Sequence, residues 1–558
     1  MKKKKNNVGG KKSLLLVFIV VLLLKLVAIW FFVDAPSAFS DEYSYIKMAR
    51  SFYYDQEFTI HGIEMHRYPP LYPIVMSIAY IFGDMEHVYM LMKIINAILG
   101  ALVVIPIFLL SKEFFKKEIA IRIAFLGGIL PGIFLMTPFI LSENLFYPLF
   151  MFAFYFTYKS LYRYEWMYGF LAGLFIGLAM ITRLIMLPFI GAILLMWLIE
   201  RKKRFYEYIN IGFRIGLGFI VVIIPYLLLY YDFGDTYGLG NYIFPDCLIA
   251  LLAIPLVYIG YLMLAVGTPI FSFFPSEKLK GRKMYIFKFS LAIVFCFLVF
   301  LALRQMYDNG VENPIFFMIH DRPIGRYISF LIPPLIIVGF MNFKNKSKIK
   351  FPRKSILWII ALFFSIFLFY FTMLPPNNPD IIFLGAALKF ISMKLGSLSW
   401  LYLPFVISTI LLYEFIMLLL TEITLKEVLF YLIIISIICS YGGMIIISVN
   451  AYNWEKGEAM QFGKWVNNNI PHNTNIIIDK RDCDGRIEKA NQTVLCEDIG
   501  RVFPTIMGVW INNNLYVEDP EHPTHKSQHI ITRHEMPNMK LLHKTINGFK
   551  IYENVYKV

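Results

Sequence analysis

Asp41 and Glu42 stand side by side at the start of SDEYSYIKMARSFYYDQEFTIHGIEMHRYPPLYP, the segment from Ser40 to Pro73. A carboxylate held beside a hydroxyl can take its proton as the oxygen attacks an electrophile. The same acids also suit a plainer task, because Ser40 is a good helix N-cap and acids in a first turn favour the helix dipole. Arg67 and Tyr68 follow, directly before Pro69 and Pro70. Two prolines fix an extended backbone, so these side chains are aimed. A guanidinium fork matches phosphate oxygens. An arginine beside a membrane pairs equally well with lipid headgroups.

Three more charged positions interrupt apolar sequence. Glu143 lies in TPFILSENLFYPLF, where a lone acid is a functional hint; with Ser142 and Asn144 it also suits the cap of a span. Arg183 stands between two apolar runs. IHDRPIGRYISFLIPPL places His320, Asp321, Arg322, Arg326 and Tyr327 just before another apolar run. Two arginines there can hold an anionic leaving group, and Asp321 can pair with one of them. A divalent cation between acid and phosphate would take Asp41 and Glu143 as ligands; no dedicated ligand set is present.

The elements that position these residues are membrane spans. Apolar residues make up 58% of the chain and charged residues 16%, against roughly 25% charged in a soluble domain. Candidate spans fall at 13–33, 88–111, 119–136, 142–159, 166–181, 184–200, 209–231, 246–270, 285–304, 324–341, 355–374, 399–420 and 424–448. The expected architecture is therefore a polytopic α-helical membrane protein of about thirteen transmembrane helices. The net charge of +15 does not indicate nucleic acid. Its basic residues cluster in the loops 112–122, 159–163, 201–204, 278–283 and 344–354, whereas the loops 137–142 and 231–246 hold no Lys or Arg. Lys and Arg bias sets orientation, so these loops and the N-terminus are expected in the cytoplasm. The first apolar run is too long for a signal-peptide core and no small-residue cleavage site follows, so it is read as a retained span.

Three segments on the opposite side read as surface elements rather than simple loops. In 41–55, Tyr45, Met48, Ala49 and Phe52 form one helical stripe, and Ser44, Lys47, Ser51 and Asp55 the other, as in an interfacial amphipathic helix. The stretches 70–82 and 381–398 are expected to lie along the surface as well. An odd span count puts the C-terminus outside, and residues 450–558 read as a small extracytoplasmic α/β domain. A helix is expected up to Pro471, with strands at TNIIID, HIITRH and FKIYEN. The domains are thus a basic tail 1–12, a membrane domain 13–449 with a first outer loop 34–87, and the domain 450–558. Cys483 and Cys496 are placed for a disulfide if that domain is extracellular. Asn491-Gln492-Thr493 forms an N-glycosylation triplet.

One N-terminal span, then SDEYSYIKMARSF, then RYPPLYP, then SEN at the next outer loop, then GRY entering a later span: this order resembles the polytopic GT-C glycosyltransferases that use lipid-phosphate sugars. It is most similar to the branch of dolichyl-phosphate-mannose protein mannosyltransferases and lipid A aminoarabinose transferases. The resemblance covers roughly 13–450 and is most specific in 40–73. It implies a GT-C-like membrane domain and inverting transfer of a sugar from a polyprenyl (dolichyl or undecaprenyl) phosphate donor to a protein, glycan or lipid hydroxyl in the cell envelope. It implies Asp41 as base with Glu42 beside it, Glu143 as the second outer-loop acid, Arg326 as the Arg entering a later span, and Arg67 and Tyr68 beside the Pro-Pro element as contacts to the donor phosphate. Arg183 and Arg322 join them as phosphate contacts on their positions in this sequence alone. No WWDYG-like motif is present, which argues against an oligosaccharyltransferase. The competing classes are a transporter or flippase of lipid-linked sugars and a membrane scaffold. Intramembrane charge suits transport too, but no inverted repeat is visible.

Overall fold

An apolar run in lipid must satisfy its backbone N–H and C=O groups internally, which a helix does. The long apolar runs are helical in a computed structural model of the chain, which describes residues 2–31, 40–60, 63–64, 68–163, 165–200, 205–229, 244–265, 279–308, 324–343, 378–382, 424–452, 456–472, 474–483, 503–546 and 548–554. In chain order the elements begin α1 (Lys2–Phe31), α2 (Ser40–Asp55), β1 (Thr59–Ile60), β2 (Ile63–Glu64), α3 (Leu71–Ser77), α4 (Met85–Leu102), α5 (Val104–Lys112), α6 (Lys117–Ile129), α7 (Pro131–Phe134) and α8 (Glu143–Arg163). They continue with α9 (Trp166–Met180), α10 (Leu187–Glu200), α11 (Phe205–Leu229), α12 (Phe244–Leu264), α13 (Arg282–Asp308), α14 (Ile332–Phe343) and α15 (Leu425–Tyr452). The last are α16 (Lys456–Asn469), β3 (Asn475–Asp479), α17 (Phe503–Trp510), β4 (Asn514–Glu518), β5 (His529–Thr532), β6 (Lys540–Lys544) and β7 (Lys550–Glu553).

Among the described residues, five stretches are long and apolar enough to cross a membrane: Lys12–Trp30, Met85–Lys112, Ile209–Leu228, Arg282–Leu303 and Leu425–Val449. Some of the other expected spans are shorter or interrupted. The run 119–136 breaks at Leu130, which is extended (φ −54°, ψ 135°) before Pro131, because a residue preceding proline is pushed out of the helical region. The run 324–341 opens with two 3-10 turns, Gly325–Tyr327 and Ser329–Leu331, before α14 begins. The expected spans 355–374 and 399–420 lie outside the described residues, as do nearly all of 381–398, the Cys483 side chain, Cys496 and the glycosylation triplet.

Two compact units divide the chain. The first comprises Met1–Lys25, Ile98–Met136 and Glu143–Met444. Within it α9 and α11 meet backbone to backbone: a Cβ on Gly173 would overlap the Ile215 carbonyl, and one on Gly218 the Phe170 carbonyl. Lipid gives helices no hydrophobic reason to associate, so small residues that allow close approach drive the packing. Phe146 and Phe150 of α8 and Phe297 of α13 surround Phe330, with ring centroids at 5.1, 4.6 and 5.0 Å. That cluster seats the chain just after the GRY turn.

The second unit comprises Leu26–Ala97, Thr137–Ser142 and Ile445–Val558. Its sheet has the order β4-β3-β5-β7-β6. β3 is parallel to β4 and β5, and β7 is antiparallel to β5 and β6. Ala459, Phe462 and Val466 of α16 and Met507 of α17 pack with Ile476, Ile478, Ile531 and Ile551 of the strands to form its core. Helix α2 differs from the expected interfacial helix. Most of its polar stripe is buried with its apolar one: Ser44, Lys47 and Ser51 are inside and only Asp55, at the helix end, is exposed. The physical reason for the burial of Lys47 and Ser51 is that both find partners. Lys47 donates to the Ile511 carbonyl at 2.6 Å, and Ser51 shares a hydrogen bond with Thr59 at 2.7 Å. At its edge Arg50 donates to the Asn512 carbonyl, the Asn512 side chain and Asn514 at 3.1, 3.0 and 2.7 Å. Burial, and then the charge of Arg50, hold the Lys47 ammonium well below its ordinary pKa.

Candidate active site

In the second unit, α2 begins with the two acids and separates their roles. Glu42 is buried and accepts the backbone N–H of Ile140 at 2.9 Å. Asp41 keeps some exposure and accepts a hydrogen bond from the Tyr68 hydroxyl at 3.1 Å. Pro69 and Pro70 lead into α3 and fix the direction from which Tyr68 arrives. Tyr45, one turn along α2, meets the edges of Tyr68 and Tyr72 at centroid distances of 5.2 and 5.0 Å. Its hydroxyl shares a hydrogen bond with Ser142 at 2.8 Å. Tyr72 in turn donates to Asn96 at 2.9 Å, and Asn96 to the Phe139 carbonyl at 2.7 Å. The result is one partly open carboxylate in a rigid aromatic frame. The Tyr68 hydroxyl fixes the direction of that carboxylate, and a carboxylate so held can act as a general base. Arg67 lies outside the described residues.

In the first unit, Glu143 opens α8 and is 1% exposed. Arg183 pairs with one of its oxygens, and Arg326 approaches the other at 3.3 Å. Both guanidiniums face the Tyr327 ring, at 5.5 and 5.4 Å from its centroid. Arg183 is held where α9 has ended and the chain is extended, with φ −154° and ψ 124°. Arg326 is held in the 3-10 turn Gly325–Tyr327. Tyr147, one turn along α8 from Glu143, donates to the Arg326 carbonyl at 3.0 Å. A buried carboxylate is tolerable only when paired. Two guanidiniums brought to one point present a cluster of cationic donors, which suits an anionic ligand. Such a donor set does not fit a divalent cation, which takes oxygens rather than guanidiniums around its ligand carboxylate. Among the described residues no group of three or more His, Cys, Asp or Glu side chains is placed to hold a metal. Arg322, His320 and Asp321 lie outside the described residues.

The structure adds a carboxylate that the sequence analysis passed over. Asp380 accepts the Gly132 N–H at 2.8 Å and the Tyr261 hydroxyl at 2.9 Å. The Ser329 hydroxyl donates to it at 2.5 Å. A signal was present: Asp380 is the single acid between Asp321 and Glu414, and it follows three prolines at 375, 376 and 379. Tyr147, Tyr261, Asn378 and Ser329 carried no comparable signal, since each is an ordinary residue of an apolar span or loop until a distant partner meets it.

Residues 67–229 match the family described as dolichyl-phosphate-mannose-protein mannosyltransferase. Among solved structures the chain is similar to ArnT from Cupriavidus metallidurans. The apo form has a TM-score of 0.55 at 12% identity and covers 98% of each chain. The form bound to undecaprenyl phosphate has a TM-score of 0.57 at 13% identity, covering 97% of this chain and 98% of that one. No curated protein sequence matches the chain. The polytopic helical GT-C fold expected from the sequence is the fold observed, and both comparisons fall in the branch that the sequence resembles.

Proposed function

We propose that the chain is an integral-membrane glycosyltransferase that moves a sugar from a polyprenyl-phosphate carrier to an acceptor hydroxyl. The observation that carries the reading is the buried Glu143 with Arg183 and Arg326 upon it, in a chain with the fold of ArnT. One solved ArnT form holds undecaprenyl phosphate, and the matched family is described by a dolichyl-phosphate sugar donor. A pair of guanidiniums in a site largely removed from water is what a phosphate leaving group requires.

In this reading Asp41 removes the proton from the acceptor hydroxyl. The hydroxyl oxygen forms a bond to the anomeric carbon as the carbon–oxygen bond to phosphate breaks. The electron pair leaves with the phosphate, whose growing charge Arg183 and Arg326 stabilise, with Arg67 and Arg322 as further contacts. Tyr68 orients the Asp41 carboxylate, and Glu42 holds the start of α2 through Ile140. A single displacement inverts the anomeric centre. The N-terminal tail lies in the cytoplasm, residues 450–558 form a domain outside the plasma membrane, and the acceptor is a protein, glycan or lipid. No step needs a metal.

The test is transfer from a panel of radiolabelled polyprenyl-phosphate sugars in membranes carrying wild type, Asp41→Asn or Glu42→Gln. Wild type should transfer. Asp41→Asn should lose at least about a hundredfold in rate, the size of a general-base contribution, with unchanged thermal stability. Glu42→Gln should lose stability instead. Movement of sugar-lipid between leaflets with no transfer from any donor would instead indicate a transporter.

A further inference from the structure

The Gly325–Tyr327 turn that carries Arg326 is a single 3-10 turn, and such short turns hold their shape poorly unless something outside them fixes it. Here the outside contacts converge from distant parts of the chain. The Gly325 N–H donates to Asn378 at 2.9 Å, and the Ile324 N–H to the Tyr258 hydroxyl at 3.1 Å. The Ser329 hydroxyl shares its one proton between Asp380 and the Gly325 carbonyl, the latter at 3.1 Å. Asp380 then ties that serine to Gly132 of α7 and Tyr261 of α12. Neither glycine leaves slack: a Cβ on Gly132 would overlap the Asp380 carboxylate, and one on Gly325 the Tyr261 ring.

We propose that Asp380 is a positioning residue that sets the Arg326 guanidinium, and through it the affinity for the phosphate of the lipid donor. The proposal rests on the reading of Arg326 as a phosphate contact. Asp380 has three donors directed at its two oxygens, so it acts as an acceptor hub and not as a group that handles a proton. Asparagine at this position keeps the shape but has one acceptor oxygen, and its amide N–H groups would confront a donor. The turn is then released without a cavity being made.

The experiment measures the affinity of the purified full-length chain for undecaprenyl phosphate, by native mass spectrometry, beside the transfer assay. Asp380→Asn and Arg326→Lys should each weaken binding about tenfold, since small misplacements of a binding group carry costs of this order or more. The double variant should bind little worse than the weaker single one, because the two act through one contact. Ser329→Ala, which removes one tie and little volume, should weaken binding about threefold and serves where Asp380→Asn does not fold. Wild-type affinity in the folded Asp380→Asn and Ser329→Ala variants, or fully additive losses in the double variant, overturns the proposal. A wild type that binds the lipid phosphate yet transfers no sugar sinks the transferase reading and leaves this inference intact.

Discussion

At the scale of the residue, the buried acids of the two clusters are distinguished by what surrounds them. Glu42 and Glu143 are both 1% exposed, but the first answers a backbone N–H and the second two arginines. Removing one partner of a buried ionic group costs about 3–5 kcal/mol, because the rest is left charged and unpaired. Glu143→Gln is therefore expected to lower the melting temperature of the detergent-solubilised chain by several degrees while leaving both guanidiniums free to meet a phosphate. An unchanged melting temperature would show that water or lipid already screens Arg183 and Arg326. Arg183→Ala should do less harm to stability, since Arg326 remains on Glu143, and should still reduce transfer.

Elements are held by different physics in the two units. Helices α9 and α11 touch through Gly173 and Gly218, whose missing side chains are each occupied by the other helix's backbone. A backbone cannot step aside as a flexible side chain can, so Gly173→Val is expected to separate the pair and destabilise the membrane part. Protease resistance or thermal unfolding of the intact protein reads this, and a wild-type melting temperature would refute the close crossing. In the sheet the fastening is electrostatic. Asp479, at the end of β3, is pushed up by burial and pulled further down by hydrogen bonds from Arg481 and Thr532, so it ends below its ordinary value. A carboxyl depressed on folding contributes stability that is complete above its unfolded value of about 3.9 and is lost as pH falls through the lower folded value. The gap in melting temperature between wild type and Asp479→Asn should thus be constant at neutral pH and close on acidification below about pH 4. A gap that persists at low pH would place the stabilisation elsewhere.

For the molecule as a whole, orientation follows from charge. The loops 112–122, 159–163, 201–204, 278–283 and 344–354 are basic while 137–142 and 231–246 hold no Lys or Arg, a bias of the kind that keeps basic loops in the cytoplasm. A reporter enzyme that is active only outside the cytoplasm should therefore work when fused after Val558. Activity confined to the cytoplasm would mean an even number of spans and would remove residues 450–558 from the side on which acceptor hydroxyls are expected. The second unit gives this prediction weight, because chain far from α2 in sequence holds it: Lys47 and Arg50 bond to 511–514. Lys47→Met should weaken that hold, by the roughly 1–3 kcal/mol of a buried group left unsatisfied at the Ile511 carbonyl, and lower transfer in proportion to the loss of α2 order.

Much of this was legible in the order of residues. Apolar runs longer than a bilayer needs must be helices, Lys and Arg loops orient them, and acids and arginines stand out where lipid makes charge costly. Asp41, Glu143, Arg183 and Arg326 are visible on those grounds alone. The strands 475–479 and 529–532 show in their β-branched runs and 550–553 in the adjacent Ile551 and Tyr552, whereas β4 and β6 do not, since NLYVE and KLLHK acquire a strand's pattern only beside their neighbours. Hydrophobic pattern cannot tell water from a protein surface that offers hydrogen bonds. For that reason the polar stripe of α2 reads as solvent-facing, and only the fold brings Ile511 to Lys47. Pairing is likewise a property of three-dimensional proximity: that Glu143 takes two arginines from 183 and 326, and that Asp380 gathers donors from 132, 261 and 329, was decided by the tertiary structure, because separations of tens to hundreds of residues leave no local trace.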